Sequence, residues 1–221
     1  MNFSADTDSS SDREMFTPGQ EQSIQTEQLH QARYIIYKLL SLAYLYPGDI
    51  DWNTFICESP GILGEAAGVL SLDITAETAT LSRLSNSLDL EQICCEHTML
   101  FINNPNSYSI APYESVYLED TIMGRCTRLV REQYEQCGLS VDQKHSYLLP
   151  DHIALELDFM AYLIEEKSMQ SGSFSLNTQN RFFTDHLGQW MGRFLTDVRS
   201  VEVHSYFLSL ATVADTFFHY E

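Results

Sequence analysis

The sequence predicts an all-α protein, a single-domain bundle of roughly nine to eleven helices. Apolar residues recur at intervals of three and four near both ends of the chain: Leu29, Ala32, Ile36, Leu39 and Ala43, then Val203, Phe207, Leu210, Ala214 and Phe217. This spacing places each set on one face of a helix. No run of alternating apolar and polar residues lies between hairpin turns, so the pattern does not favour a sheet.

The chain begins with a polar segment. Residues 1–25 are mainly Ser, Thr, Asp, Glu and Gln, which bury too little apolar surface to offset the entropy of ordering. We therefore predict a disordered acidic tail over 1–25, followed by a helical domain over 26–221. A docking or regulatory arm is the alternative interpretation of the tail.

Pro and Gly residues punctuate the next part of the chain. Pro47-Gly48 is expected to end the first helix, because neither residue continues a helix well. The elements predicted after it are short helical pieces over 51–70 broken at Ser59-Pro60-Gly61, helices over 77–86 and 90–101, and a loop over 103–107.

The C-terminal half contains the most apolar helix. The predicted elements are a turn or short helix after Pro112, an amphipathic helix from Ile122 to Cys137, a polar connector over 139–149, and helices over 151–168, 177–187, 188–199 and 203–217. The helix over 151–168 is apolar on nearly every face, which is typical of a buried helix. The connector is a candidate hinge.

Two polar residues interrupt that buried helix near its start. His152 and Glu156 are one turn apart on the same face, and Asp151 precedes them with a carboxylate suited to a helix N-terminus. A buried polar pair costs free energy unless it is satisfied. From their types and spacing alone, Asp151, His152 and Glu156 could form a structural cap, a metal site or a binding site.

Three motifs carry a family resemblance. They are Pro150-Asp151-His152 followed by Glu156-Leu157 and Phe159-Met160, then Ala111-Pro112-Tyr113-Glu114-Ser115-Val116-Tyr117, and Glu96-His97-Thr98-Met99-Leu100-Phe101. Their order and spacing resemble those of the TorD/DmsD/NarJ family of cytoplasmic chaperones for molybdenum-containing reductases, with the first motif nearer the TorD/DmsD branch. Members of that family usually have an aromatic residue where His97 stands.

The resemblance implies a chaperone and not an enzyme, with no cofactor or metal of its own. Its implied partners are the apo form of a molybdopterin-dependent reductase and the twin-arginine signal peptide of that reductase, which is held back from export until the cofactor is inserted. It also implies that a homodimer can form by domain exchange. The client-binding residues that it implies are Leu100, Phe101, Tyr113, Glu114, Tyr117, Asp120, Pro150, Asp151, His152 and Glu156.

The mixture of Tyr113, Glu114 and Tyr117 suits a peptide that carries both arginines and apolar residues. A loop anchored by two buried tyrosines is the alternative interpretation, and the two are compatible.

The charge of the chain restricts its partners. A net charge of −19 over 221 residues argues against nucleic-acid binding, which needs Lys and Arg for phosphate contacts. It suits a basic partner, although an acidic surface also serves solubility alone. Arg125, Arg128 and Arg131 recur along one predicted helix and are expected to pair with nearby acids. No phosphate-binding glycine motif is present.

A small metal-dependent hydrolase built on Asp151, His152 and Glu156 is the alternative function. It is disfavoured because a second histidine and a third ligand are missing nearby.

The five cysteines show no CxxC spacing and are expected to be free, buried thiols. No basic segment precedes an apolar run, and no apolar run reaches about 18 residues. We therefore expect a cytoplasmic protein without stable membrane insertion.

Overall fold

The helical architecture expected from the apolar spacing is confirmed. The computed structural model describes residues 18–103, 109–169, 173–201 and 204–221. These residues form ten α-helices and no β-sheet. The helices are α1 (Pro18–Tyr44), α2 (Trp52–Val69), α3 (Thr75–Leu84), α4 (Leu90–His97), α5 (Glu114–Glu119), α6 (Arg125–Gln136), α7 (Ile153–Met169), α8 (Ser173–Phe182), α9 (Gly188–Ser200) and α10 (Ser205–Phe218).

Helix α7 lies at the centre of the bundle. Its most extensive packing is against α1, and α8 covers another side. Ile153, Ala154 and Leu157 are completely buried, so α7 exposes little of its first turns. Burial on almost every face confirms the interpretation of this helix from its composition. Helices α2, α3, α9 and α10 complete the domain through contacts of α1 with α2 and of α10 with α3 and α9.

Helix α1 begins earlier than predicted. It starts at Pro18, so residues 18–25 form helical turns and do not belong to a disordered tail. Residues 19–28 are all exposed, so these turns extend a helix that the packing of later residues stabilises. Pro at the first position is favourable because its missing N–H has no helical partner there. Residues 1–17 of the predicted tail lie outside the described residues.

Two other helices differ from the predicted boundaries. Residues 52–69 form one continuous helix that runs through Pro60, where short pieces were expected. Proline removes only one backbone donor, and its ring is buried against the domain, so packing outweighs the local penalty. Helix α6 begins at Arg125, and Ile122, expected on its apolar face, lies outside it and is exposed.

Two π-turns follow α-helices. Helix α4 continues as a π-turn over Thr98–Ile102, and α8 continues as a π-turn over Phe183–Leu187. A π-turn changes the direction in which side chains leave a helix and often occurs at a functional site. The first π-turn contains Phe101, and the second contains the buried His186.

An ion pair joins α1 to the C-terminal end of the domain. Arg33 donates from Nε and Nη2 to the two carboxylate oxygens of Glu221, at 2.5 and 2.6 Å, and the Tyr37 hydroxyl donates to the same carboxylate at 2.8 Å. The Glu221 side chain is only 3% exposed. A bidentate ion pair that is this deeply buried constrains the relative positions of the two segments that it joins more than a surface ion pair does.

The cysteines correct one expectation. All five lie among the described residues and none of them forms a disulfide, but Cys57 and Cys95 are exposed, so the prediction that the thiols are buried holds only for Cys126 in full. Among the described residues, no helix is both long enough and apolar enough to cross a bilayer.

Candidate functional site

The segments that contain Tyr113 and His152 are joined directly. The two residues form an isolated antiparallel bridge, in which Glu114 N–H donates to the Asp151 carbonyl at 3.0 Å and Ile153 N–H donates to the Pro112 carbonyl at 2.9 Å. The rings of Tyr113 and His152 meet edge to face, with centroids 5.0 Å apart. Two motifs that are distant in sequence therefore form one structural unit.

Asp151 stabilises a helix other than its own. Its Oδ2 accepts a hydrogen bond from the Ser115 N–H at 3.0 Å, in the first turn of α5. The residue that precedes α5, Tyr113, provides no side-chain cap. A carboxylate at this position also interacts favourably with the positive end of the α5 dipole. The expected role of Asp151 as the cap of its own helix is therefore wrong.

His152 takes that role. Its Nδ1 accepts a hydrogen bond from the Ala154 N–H at 3.2 Å, at the start of α7. Only 4% of His152 is exposed, and burial lowers its pKa from 6.5 to about 3, with His97 acting in the same direction. The ring is therefore neutral near pH 7. Because Nδ1 is an acceptor, Nε2 carries the proton.

A cavity of about 520 Å³ opens beside this unit. Aromatic and imidazole rings dominate its wall. The lining residues are Tyr44, Tyr46, Asp49, His97, Thr98, Phe101, Ile102, Pro112, Tyr113, Tyr147, Leu148 and His152. Each of the three motifs contributes to the wall, so the structure brings together Phe101, Tyr113 and His152 from the predicted site.

The connector borders the same cavity. Tyr147 donates a hydrogen bond from its hydroxyl to the Asp49 carboxylate, and Lys144 Nζ donates to the Asp49 carbonyl oxygen. Residues of the connector, including His145, also line a second cavity of about 380 Å³. Movement of residues 139–149 would therefore alter both cavities.

Glu114 and Glu156 lie in the interior and do not line the cavity. Both oxygens of Glu114 are 3.1 Å from His186 Nδ1, and Trp190 Nε1 donates to Glu156 Oε2 at 3.1 Å. Glu156 is completely buried. Burial raises its pKa well above 4.5, and the nearby Glu114 adds to this effect. These carboxyl groups hold α5, α7 and α9 together, and neither forms an acidic rim.

The other predicted site residues lie elsewhere. Tyr117 donates its hydroxyl to Asp197 at 2.9 Å, with the Arg193 guanidinium 5.7 Å from its ring centroid. Asp120 is exposed in a left-handed turn at the end of α5.

Leu100 is 6% exposed within the core. The Pro150 carbonyl accepts a hydrogen bond from Tyr134 at 2.9 Å. Neither residue lines the cavity.

Nine of the twelve wall residues were not among the predicted site residues, and four of these nine are Tyr44, Tyr46, Asp49 and Tyr147. The first three flank Pro47-Gly48, where α1 ends. Tyrosines at a helix end are a usable signal, since they combine a large contact area with a polar group. Tyr147 belongs to the connector, and its position depends on tertiary contacts with Asp49.

A metal site on Asp151, His152 and Glu156 does not fit this geometry. His152 Nδ1 and the Oδ2 atom of Asp151 are already occupied by backbone donors. The described part of the chain contains no group of three or more His, Cys, Asp or Glu side chains arranged to hold a metal ion.

Residues 69–196, more than half of the chain, match the family described as the nitrate reductase delta subunit. The protein belongs to this family, that of the TorD and NarJ chaperones of redox enzyme maturation. As a chaperone of this family, it is not a catalyst.

Curated relatives of this TorD/NarJ chain are similar over most of their length. The chaperone protein TorD of Shewanella piezotolerans is 25% identical over 205 residues, which cover 83% of this chain and 87% of the relative. The chaperone protein TorD of Vibrio cholerae is 26% identical over 154 residues, covering 67% and 69%.

A solved structure has a similar fold. It is a crystal structure of a proposed redox enzyme maturation protein from Archaeoglobus fulgidus, 22% identical, with a TM-score of 0.53, covering 83% of this chain and 93% of that one.

Proposed function

We propose that this TorD-family protein binds the twin-arginine signal peptide of an apo-molybdoenzyme reductase and delays export until the molybdopterin cofactor is inserted. We place this activity in the cytoplasm. The observation that carries the proposal is the convergence of all three motifs on one aromatic cavity of about 520 Å³. A cavity of this size, mostly apolar with a few polar groups, suits the side chains of a short peptide segment.

The chemistry of the wall supports a peptide ligand. Tyr46, Tyr113 and Tyr147 offer broad ring faces for apolar side chains, with hydroxyl groups for hydrogen bonds. His152 presents a neutral ring whose protonated Nε2 is available as a donor to a peptide carbonyl. Asp49 supplies a carboxylate in the same wall.

The charge of the surface assists encounter with a basic segment. A net charge of −19 attracts a peptide that carries two adjacent arginines, most strongly at low salt. Glu114 and Glu156 are interior, so they do not meet the arginines. Asp49 is the acid that lies in the wall itself.

The test is a calorimetric titration with a synthetic twin-arginine leader peptide. The expected dissociation constant is micromolar or lower, about −8 kcal/mol. A Lys-Lys peptide and a scrambled peptide of the same net charge are the controls. Equal binding of all three would show charge attraction without recognition and would contradict the proposal.

The connector also supports a proposal about assembly. We propose that residues 139–149 act as a hinge through which two copies exchange helices. Light scattering after size-exclusion chromatography measures the dimer, and shortening the connector is expected to change the dimer fraction.

A further inference from the structure

His97 occupies an unusual position in the cavity wall. It is 5% exposed and is packed among rings, with centroid distances of 5.0 Å to Phe101, 5.5 Å to Tyr46 and 6.2 Å to Phe207. An apolar aromatic side chain would satisfy such surroundings. The chain instead places two polar nitrogens there.

Neither nitrogen has a hydrogen-bond partner of normal geometry among the described residues. Nδ1 and Nε2 of His97 are both buried and unpaired. The Tyr44 backbone is close enough to raise the pKa, and Asp49 also raises it, but burial dominates and lowers the pKa of His97 from 6.5 to about 4. A neutral imidazole has one donor and one acceptor. The Tyr44 backbone gives the ring at most one contact, of poor geometry, so at least one hydrogen bond is left unmade.

A buried polar group without a partner destabilises the fold and calls for an explanation. The cavity is where a partner can reach the ring, because His97 is part of its wall, together with His152. A bound molecule that supplied the missing partner would recover the lost hydrogen bonding. His97 is therefore expected to weaken the free protein and to strengthen the complex.

We propose that His97 is a specificity-determining residue, whose imidazole hydrogen-bonds an uncharged polar group of the client peptide beside an apolar side chain that fills the cavity. This inference rests on the proposed function. The group that His97 is proposed to bind is an amide or hydroxyl of the client peptide, not one of its arginines.

The rings that surround His97 favour an uncharged partner at this point. The neighbouring imidazole of His152 already uses Nδ1 as an acceptor. The Asp49 carboxylate accepts from Tyr147 through one oxygen, and its other oxygen is the acceptor in the wall that suits an arginine. A guanidinium group would find few free acceptors among the rings, and an unpaired charge in such a site is strongly disfavoured. An uncharged donor or acceptor pairs with the neutral imidazole without this penalty.

The experiment compares wild type with His97→Phe, His97→Gln and the exposed control His219→Phe, which changes the same ring outside the cavity. His97→Phe is expected to raise the urea midpoint of the free protein and to weaken binding of the synthetic leader peptide about tenfold. His97→Gln keeps a neutral donor and acceptor and is expected to retain most of the affinity. His219→Phe is expected to change neither quantity.

Unchanged affinity of a folded His97→Phe variant, with wild type binding normally, would overturn this inference and leave the proposed function intact. Absence of binding by wild type would instead reject the proposed function. If His97→Phe does not fold, ¹⁵N spectra of the wild-type imidazole decide: a hydrogen-bond shift of the His97 ring on peptide addition supports the inference, and an unchanged ring rejects it. Peptides with each Ser, Thr, Asn or Gln replaced by Ala distinguish a side-chain partner from a backbone amide.

Discussion

The carboxylate of Asp151 accepts a hydrogen bond from the backbone N–H of Ser115 at 3.0 Å, so a residue just before α7 caps the first turn of α5. The backbone of the same residue accepts from the Glu114 N–H. Asp151 thus holds α5 and the start of α7 in one arrangement. Since Tyr113 and His152 lie on either side of this junction, the shape of the cavity wall depends on it.

We predict that Asp151→Ala lowers the free energy of unfolding by about 1–3 kcal/mol, because the Ser115 N–H is left buried without an acceptor. Asp151→Asn retains an oxygen acceptor and is expected to lose less. Urea unfolding followed by circular dichroism measures both. An equal loss in the two variants would show that the negative charge at the α5 N-terminus matters and the hydrogen bond does not.

The contribution of Glu156 to stability is predicted to depend on pH in the opposite sense from that of an ordinary carboxylate. Its folded pKa lies well above 4.5, so its contribution to stability is fully present below about pH 4.5 and is lost as pH rises through the folded pKa. Glu156→Gln keeps an acceptor for Trp190 without an ionisable group. It is expected to be at least as stable as wild type at pH 7, whereas Glu156→Ala should lose about 1–3 kcal/mol. Equal losses in both variants at pH 7 would mean that the fold requires a charged carboxylate here.

Two buried imidazoles, those of His97 and His152, predict loss of stability in acid. The folded pKa is about 4 for His97 and about 3 for His152, below the ordinary 6.5. Their contribution is therefore fully present above pH 6.5 and is lost as pH falls toward the folded values, with an uptake of up to about two protons on unfolding. Unfolding free energies between pH 8 and 4.5 measure the slope. His97→Phe should reduce it, and the exposed control His219→Phe should leave it unchanged.

The sequence predicted the helical fold well because the apolar patterns of α1, α7 and α10 can each be recognised within one short stretch of residues. It predicted a break at Pro60 because local propensity opposes proline, whereas packing of the buried ring sustains α2. Phe101, Tyr113 and His152, which were expected from the motifs, line the cavity, and their role in client binding stays a prediction. It could not place Glu114, since whether a carboxylate faces solvent or His186 depends on tertiary contacts.

Removal of residues 1–25 is predicted to have little effect. The part of this segment that the structure describes is the exposed beginning of α1, and residues 19–25 bury little surface. The melting temperature and peptide affinity should remain nearly unchanged. A tenfold fall in affinity, about 1.4 kcal/mol, would identify the segment as a docking arm.

The role of His152 can be divided between folding and binding. Its Nδ1 caps α7 and its ring is 4% exposed, so His152→Ala is expected to lose about 1 kcal/mol or more of stability as well as affinity. Asparagine is an effective cap, so His152→Asn should restore the hydrogen bond to Ala154 while removing the Nε2 donor.

We therefore predict that His152→Asn keeps the unfolding free energy within about 1 kcal/mol of wild type but binds the leader peptide about tenfold more weakly. Urea unfolding and calorimetry on the same preparation separate the two effects. If His152→Asn binds normally, the ring only caps α7, and the contact with the peptide must come from Tyr113 and the rest of the wall. If it binds weakly while remaining stable, the first motif combines both roles in one side chain, with one ring nitrogen serving each.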